Sequence, residues 1–245
     1  MQALATVPLR WIVSDFPGHA NAPLEHRPAA LGNTPDGQLQ KVVRLWQCGS
    51  QFVSLTEHRS MSGSDICTRA ITYLKPMVHD SAPAISMSPE DAPVLRPFTE
   101  GLLVSYVTDT DDHLTFIQQR HLEQEGVSVG QLHSMAISNL QALAEEKLVV
   151  REYGAVYVAL MGGNFEASLL ALDVMWNNWY AQLAQEGFVA VAPARDLLAF
   201  CDASSEQGLV ELRQVVQRSI KCDHPLHPHM YRRIGTGWQQ SPIPR

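Results

Sequence analysis

Three hairpin-and-helix units in the second half of the chain constrain the fold more than any other sequence feature. Each unit has two short β-rich runs separated by turn-forming residues, followed by a longer run with helical periodicity. The predicted strand pairs are 102–108 with 114–118, 148–152 with 156–161, and 188–192 with 197–201. Strands joined by a tight turn are antiparallel. We therefore predict an α+β fold of successive ββα units, with a mainly antiparallel sheet and helices packed on one face.

The three predicted helices start at polar residues that can cap them. Ser128 and Gln131 have the spacing of a capping box, in which each side chain bonds the other's backbone amide. The second helix is expected to start at Asn164 and to bury an apolar stripe that includes Trp176, and the third to start near Ser205.

The first half of the chain gives a weaker pattern, which resembles a fourth copy of the unit. It has candidate strands at 41–47 and 52–55 and a candidate helix that carries Ile66, Ala70, Ile71 and Leu74. Five prolines lie between Pro76 and Pro97, a density that excludes a long helix and suits a connector. We therefore predict two domains, an N-terminal α/β region over 1–98 and a ββα-repeat domain over 99–245.

Charge and composition narrow the classes of partner. The chain carries 18 Lys and Arg against 25 Asp and Glu, a net charge of -7 that comes entirely from residues 99–245. A binder of nucleic acid needs a basic patch, and the longest basic run is the pair Arg232 and Arg233. Arginine supplies fourteen of the eighteen cations and is enriched at protein interfaces. These features disfavour nucleic acid and favour another protein as the partner.

The sequence also suggests a cellular location and argues against a disulfide framework and a membrane-spanning segment. The sequence has no run of about 18 apolar residues that would span a bilayer, and its first residues lack the basic and apolar regions of a secretory signal. Its four cysteines have no CxxC spacing, which favours free thiols in a reducing compartment. We expect a cytoplasmic protein that does not enter a membrane.

The most distinctive local motif runs from Met161 to Ser168. Gly162 and Gly163 allow a sharp turn after a strand, and the predicted helix beyond them would offer unpaired amides to an anion. The alternative is a plain strand-to-helix turn, in which Asn164 caps the helix and Glu166 complements its dipole.

A second motif contains residue types that commonly bind metal ions. Cys222, His224, His227 and His229 fall within eight residues. Pro225 and Pro228 should hold this segment extended and spread the four side chains apart, so we predict a rigid C-terminal strap over the sheet instead. The sequence also lacks the glycine-rich motifs that bind nucleotides. We therefore predict no metal site and assign no cofactor.

Three segments together resemble the YtpQ-like family of uncharacterised bacterial proteins. They are the run GGNFEASLLALDVMW from Gly162, the run VAPARDLLAF from Val191, and the run PLHPHMYR from Pro225 with the following Gly237 and Trp238. The resemblance covers about residues 96–238 and implies a cytoplasmic bacterial domain without an assigned activity. It directs attention to Asn164, Glu166, Arg195, Asp196, Tyr231 and Arg232.

Two functions follow as hypotheses. The first is a non-enzymatic protein-binding module, regulatory or immunity-like, because no complete catalytic constellation accompanies the acidic second half. The second is a small-molecule enzyme or ligand-binding domain, in which the Gly162–Gly163 turn receives an anionic group, Arg195 or Arg232 pairs with it, and Glu166 or Asp196 acts as general base. In either case we predict that Arg195 or Arg232 bonds a carboxylate among Glu166, Asp173 and Asp196.

Overall fold

A computed structural model describes residues 65–77, 88–110, 113–219 and 222–241 of the chain. The strands predicted at 41–47 and 52–55 lie outside these ranges. Most of the proposed domain 1–98 lies outside them as well, so the division of the chain into two domains stays a prediction.

The first sheet has four antiparallel strands built around a long central one. The strands are β1 (Ile71–Pro76), β2 (Leu95–Thr99), β3 (Leu102–Thr110) and β4 (His113–Phe116). Strand β1 pairs with one side of β3, and β2 and β4 pair with the other. The sheet therefore joins residues on both sides of position 98.

The helix predicted around Ile66, Ala70, Ile71 and Leu74 is wrong. A single 3-10 turn at Cys67–Arg69 leads directly into β1. The run Ile71, Thr72 and Tyr73 is β-branched and aromatic, which favours a strand, and pairing along β3 satisfies its backbone.

The second sheet has six antiparallel strands in the order β10-β9-β7-β8-β6-β5. The strands are β5 (Val149–Tyr153), β6 (Val156–Leu160), β7 (Phe188–Ala194), β8 (Leu197–Asp202), β9 (Met230–Ile234) and β10 (Gly237–Ser241). The three predicted hairpins are confirmed. The segment 222–229, predicted as a strap, contains no strand, and the residues after it form the hairpin of β9 and β10, which extends the sheet through β7.

Three α-helices accompany the sheets in the described ranges: α1 (Gln119–Glu125), α2 (Val129–Lys147) and α3 (Glu206–Arg218). The capping box at Ser128 and the cap at Ser205 are confirmed, since each hydroxyl accepts a backbone amide. None of these helices is both long and apolar enough to cross a membrane.

The helix predicted from Asn164 is wrong. In its place are a 3-10 segment at Ala167–Ala171, a π turn at Met175–Trp179 and a 3-10 turn at Ala181–Leu183. Four consecutive residues of the first segment, 167–170, are all buried, whereas an amphipathic helix buries one stripe. The chain thus has antiparallel sheets with a few helices, an α+β fold, but not a regular succession of ββα units.

The core explains why this segment is irregular. The indole ring of Trp176 meets Phe188, Phe200 and Trp238 edge-on, with ring centroids 5.1, 5.1 and 4.9 Å away. Its Nε1 donates to the carbonyl of Leu169 at 2.8 Å. The irregular segment fills the space against one face of the six-stranded sheet, and α3 covers the opposite face. Helix α2 packs on β1 of the other sheet, so the helices do not all share one face.

Candidate functional site

The turn at Gly162 and Gly163 is built around a buried carboxylate of the same chain. Both glycines have left-handed φ values, 100° and 93°, which other residues adopt at a cost. Glu166 is 2% exposed, and its Oε1 accepts the amides of Met161 and Gly163 at 2.7 Å each. The Gly162–Gly163 turn was expected to receive an external anion, but its Gly163 amide donates to Glu166 instead.

The second oxygen of the Glu166 carboxylate differs from the first in its hydrogen bonding. Oε2 of Glu166 is buried and has no hydrogen-bond partner in the described part of the chain. Burial raises the pKa of Glu166, the backbone amides of Met161, Gly163 and Glu166 itself partly offset that rise, and the charge of Asp196 adds to it.

The turn between β7 and β8 connects this loop to the segment before β9. The carbonyl of Arg195 accepts the amide of Ala167 at 3.0 Å, and the amide of Arg195 donates to the carbonyl of His224 at 3.2 Å. Arg195 and Asp196 are both half-buried. The buried Nε of Arg195 has no hydrogen-bond partner among the described residues.

Strand β1 brings two further polar side chains to the same place. The Nζ of Lys75 lies 5.8 Å from the ring centroid of Tyr73 and 5.4 Å from that of Phe116. The Tyr73 ring packs edge-on against Phe165, the residue before Glu166, with centroids 6.1 Å apart. We define the Arg195 site by its six polar members: Tyr73, Lys75, Glu166, Arg195, Asp196 and His224.

The members of the Arg195 site perturb one another. Burial lowers the pKa of Lys75, and the nearby Arg195 charge lowers it further. Burial raises the pKa of Asp196, against the opposing effects of its own backbone amide, Arg195 and His224. Partial burial and then Arg195 lower the pKa of His224. Titratable groups that shift one another's pKa in this way are typical of functional sites.

The backbone of His224 supports the same location. Its φ is 53°, and it is the one non-glycine residue with positive φ in the described ranges. Such a conformation costs free energy and concentrates at ligand sites and switch regions.

The structure brings together five of the eight residues predicted as a site. Gly162, Gly163 and Glu166 share one loop, and Arg195 and Asp196 lie beside it. Asn164 does not cap the 3-10 segment at Ala167–Ala171, because the N-cap residue of that segment is Glu166.

Tyr231 and Arg232 do not belong to this group. The buried Tyr231 hydroxyl donates to the carbonyl of Glu100 at 3.2 Å and lies 3.0 Å from Nδ1 of His227. Arg232, its neighbour on β9, points to the other face and is exposed.

The predicted ion pair involves a different arginine. Nη2 of Arg233 donates to Asp173 at 2.8 Å and to the side-chain oxygen of Asn177 at 3.0 Å, and the guanidinium lies 5.4 Å from the Trp238 ring. The prediction was wrong about Arg195 and Arg232. Side chains alternate along a strand, so Arg233 and not Arg232 shares the inner face with Tyr231.

Sequence reasoning missed Tyr73, Lys75 and His224 as site residues. Tyr73 lies within the run that was predicted as a helix and Lys75 follows it, although their spacing of two in a β-rich run would place both on one face of a strand. His224 was considered only as a metal ligand.

The four potential metal ligands near the C-terminus separate into different places. His224 belongs to the Arg195 site, whereas the rings of His227 and His229 lie together with centroids 4.0 Å apart. Gly101 passes so close to His227 that a Cβ atom there would lie 2.6 Å from the ring. In the ranges that the structure covers, no three His, Cys, Asp or Glu side chains gather as metal ligands.

Comparison with known proteins gives one distant similarity. The chain is 28% identical to the UPF0354 protein BH3252 of Halalkalibacterium halodurans over 117 residues. The aligned region makes up 47% of this chain and 43% of that protein. The chain thus spans less than half the length of the curated relative it matches. No model of a known protein family and no solved structure matches the chain. The similarity fits an uncharacterised bacterial family and assigns no activity.

Proposed function

We propose that the Arg195 site binds a small molecule that carries a carboxylate or phosphate group. The observation that carries this proposal is the placement of two half-buried cations, Lys75 and Arg195, in one cluster, where burial lowers the pKa of Lys75 and the Arg195 charge lowers it further. Neither cation forms an ion pair with any described residue. An anion placed between them would relieve their mutual repulsion and pair with the planar guanidinium.

The carboxyl groups of the site suit proton exchange with such a ligand. Asp196 is half-buried and reachable, and its raised pKa makes it a better proton acceptor than an exposed aspartate. Glu166 is held by the Gly162–Gly163 loop, so its role is to shape that wall of the site. We place this ligand-binding domain in the bacterial cytoplasm as part of the same proposal.

Calorimetric titration and thermal unfolding with inorganic phosphate and with pyruvate test this proposal. Saturation at 100 times the dissociation constant should stabilise the protein by about 2.7 kcal/mol. Arg195→Met should abolish the stabilisation. Arg232→Met removes the same charge from an exposed strand position and should leave it intact. Equal losses in the two variants would indicate a general charge effect and contradict the site.

A second candidate function is the protein-binding module, which a different surface favours. An open cleft of about 280 Å³ lies where α2 ends, lined by Ala144, Glu145, Leu148, Trp179 and Tyr180. Val149, which follows Leu148, is 47% exposed at the start of β5. Strand β5 lies at one edge of the six-stranded sheet. Aromatic side chains beside an edge strand are typical of peptide-binding surfaces.

A charge placed beside this cleft tests the second candidate. We expect Val149→Glu to abolish co-purification of a stoichiometric protein partner from a bacterial cytoplasm. Val210→Glu offers a matched control, because Val210 is 41% exposed on α3, away from the cleft. A partner that is retained by both variants, or lost from both, would refute binding at this cleft.

A further inference from the structure

We propose that β5 binds an extended segment of another protein as an additional antiparallel strand. The segment carries a basic residue opposite Glu152, an acidic residue opposite Arg151 and an apolar residue opposite Val150. This inference rests on the second candidate function, protein binding at the cleft where α2 ends, and names the chemistry of the partner.

The backbone of β5 has hydrogen-bonding groups along its outer edge. Tyr153 ends β5 and pairs with Val156 across a two-residue turn. Residues that flank such a turn bond each other, and the bonding alternates along an antiparallel pair, so every second residue back from Tyr153 bonds β6. The amides and carbonyls of Val150 and Glu152 therefore point away from the sheet. Within the described ranges, no strand pairs with this outer side of β5.

The other edge of the six-stranded sheet shows how such groups can be covered. Strand β10 lies at that edge, and the carbonyl of Trp238 accepts the hydroxyl of Thr99, on β2 of the first sheet, at 2.7 Å. Among the described residues, β5 has no such contact beyond β6. Outward amides and carbonyls of an edge strand are the groups that an extended segment bonds when it adds to a sheet.

The cleft lies beside this edge, on one face of the sheet. Val150, Trp179 and Tyr180 all pack against the apolar core of that face. Leu148, two residues before Val150, lines the cleft with the two aromatic residues. Side chains alternate along an added strand, so those opposite Val150 and Leu148 would lie on the cleft side. Apolar residues at these two positions of the partner would fill the cleft.

The two charged residues of β5 define the rest of the partner sequence. Arg151 and Glu152 are both exposed and lie on opposite faces, because successive side chains of a strand alternate. Opposite charges on directly opposed residues stabilise an antiparallel pair, and like charges destabilise it. A partner with Lys opposite Glu152, Glu opposite Arg151 and Val opposite Val150 reads Lys-Glu-Val in its own direction.

The same register argues against a second copy of this chain as the partner. Two β5 strands related by a two-fold axis use all their outward groups only when Val150 of each pairs with Glu152 of the other. The Arg151 residues of the two copies would then lie directly opposite each other, with their Cα atoms about 4.5 Å apart. Like charges in this arrangement are destabilising.

Two synthetic peptides test the charge register on the full chain. The matched peptide is Thr-Lys-Glu-Val-Thr-Val, labelled with fluorescein at its N-terminus, and the control exchanges its Lys and Glu at equal composition. We expect the matched peptide to bind about fivefold more tightly in fluorescence polarisation. The double variant Arg151→Glu with Glu152→Arg should reverse this preference. Equal affinities for the two peptides, or no reversal, would overturn the proposed register.

Amide hydrogen exchange followed by NMR tests the backbone contacts. The amides of Val150 and Glu152 should exchange rapidly in the chain alone and slowly with the matched peptide, whereas the Arg151 amide should be protected in both. Slow exchange of Val150 and Glu152 in a monomer without peptide would show that the chain itself covers this edge. Slow exchange in a dimer would show that a second copy covers it. Either result would overturn the proposal.

A proline variant separates the failure of this inference from that of the candidate function. Glu152→Pro removes an outward amide at an edge position that tolerates proline, and Glu152→Gln keeps the amide as its control. We expect Glu152→Pro to lose both the matched peptide and the co-purified partner, and Glu152→Gln to keep the partner. A partner lost from Val149→Glu but kept by Glu152→Pro would overturn strand addition and leave binding at the cleft standing. Absence of any partner and of peptide binding would overturn both.

Discussion

Replacement of Glu166 tests whether this carboxylate holds the Gly162–Gly163 loop. Glu166→Ala removes the acceptor of two amides, at Met161 and Gly163. Each amide left without a partner costs about 1–3 kcal/mol, and loss of the unpartnered Oε2 returns part of this. We expect a net loss of about 2–4 kcal/mol in the free energy of unfolding, measured by urea denaturation.

Glu166→Gln is the matched variant, because it keeps an oxygen acceptor and removes only the charge. We expect it to unfold within about 1 kcal/mol of the natural protein. The pKa of Glu166 is raised above its ordinary 4.5 in the folded state. Its stabilising contribution is therefore complete below the unfolded pKa and is lost as pH rises through the folded pKa. The glutamine variant lacks this loss, so its stability relative to the natural protein should increase with pH.

Two results would refute this reasoning. If Glu166→Ala costs less than about 0.5 kcal/mol, the carboxylate does not hold the loop. A glutamine variant whose relative stability falls as pH rises would contradict the raised pKa. Glu152→Gln, at an exposed position of β5, should show neither effect and controls for the loss of a surface charge.

Two further predictions follow from close packing and burial elsewhere in the chain. Gly154→Ala should destabilise the folded protein more than Gly126→Ala. Both glycines have left-handed φ values, 67° and 64°. A Cβ atom at Gly154 would lie 2.7 Å from Oε2 of Glu211, whereas a Cβ atom at Gly126 would meet nothing within 4 Å. Equal losses of about 1 kcal/mol by thermal unfolding would show that Glu211 moves aside without cost. Cys201 should react with a thiol reagent more slowly than the half-buried Cys222, because burial raises the pKa of Cys201 to about 12. A time course followed by peptide mapping measures both rates, and faster reaction of Cys201 would contradict this packing.

The sequence predicts the elements whose determinants are local. The hairpins depend on strand propensity and on turn residues within a few positions, and helix α2 depends on its capping box at Ser128. The helix predicted from Asn164 is wrong because the conformation of this segment depends on contacts with residues distant in the sequence. Its apolar spacing suits an α-helix, yet Trp176 packs against Phe200 and Trp238, which come from two strands of the six-stranded sheet that follow it in the sequence.

The Arg195 site was predictable only in part, for the same reason. The motifs around Glu166 and Arg195 stand out as glycines and charges within short runs of sequence, and the fold brings them together. Lys75 joins them only because β1 pairs with β3 and places its side chain toward a turn more than a hundred residues away. No local pattern contains that information.

The position of a heavy anion in a crystal tests the central claim most directly. Selenate resembles phosphate and can be located by its anomalous scattering in crystals soaked with it. We expect a selenate within hydrogen-bonding distance of both the Arg195 guanidinium and Nζ of Lys75, and its absence from crystals of Arg195→Met. Selenate bound only at other surface positions, with Arg195 and Lys75 bonded to ordered water alone, would contradict the account.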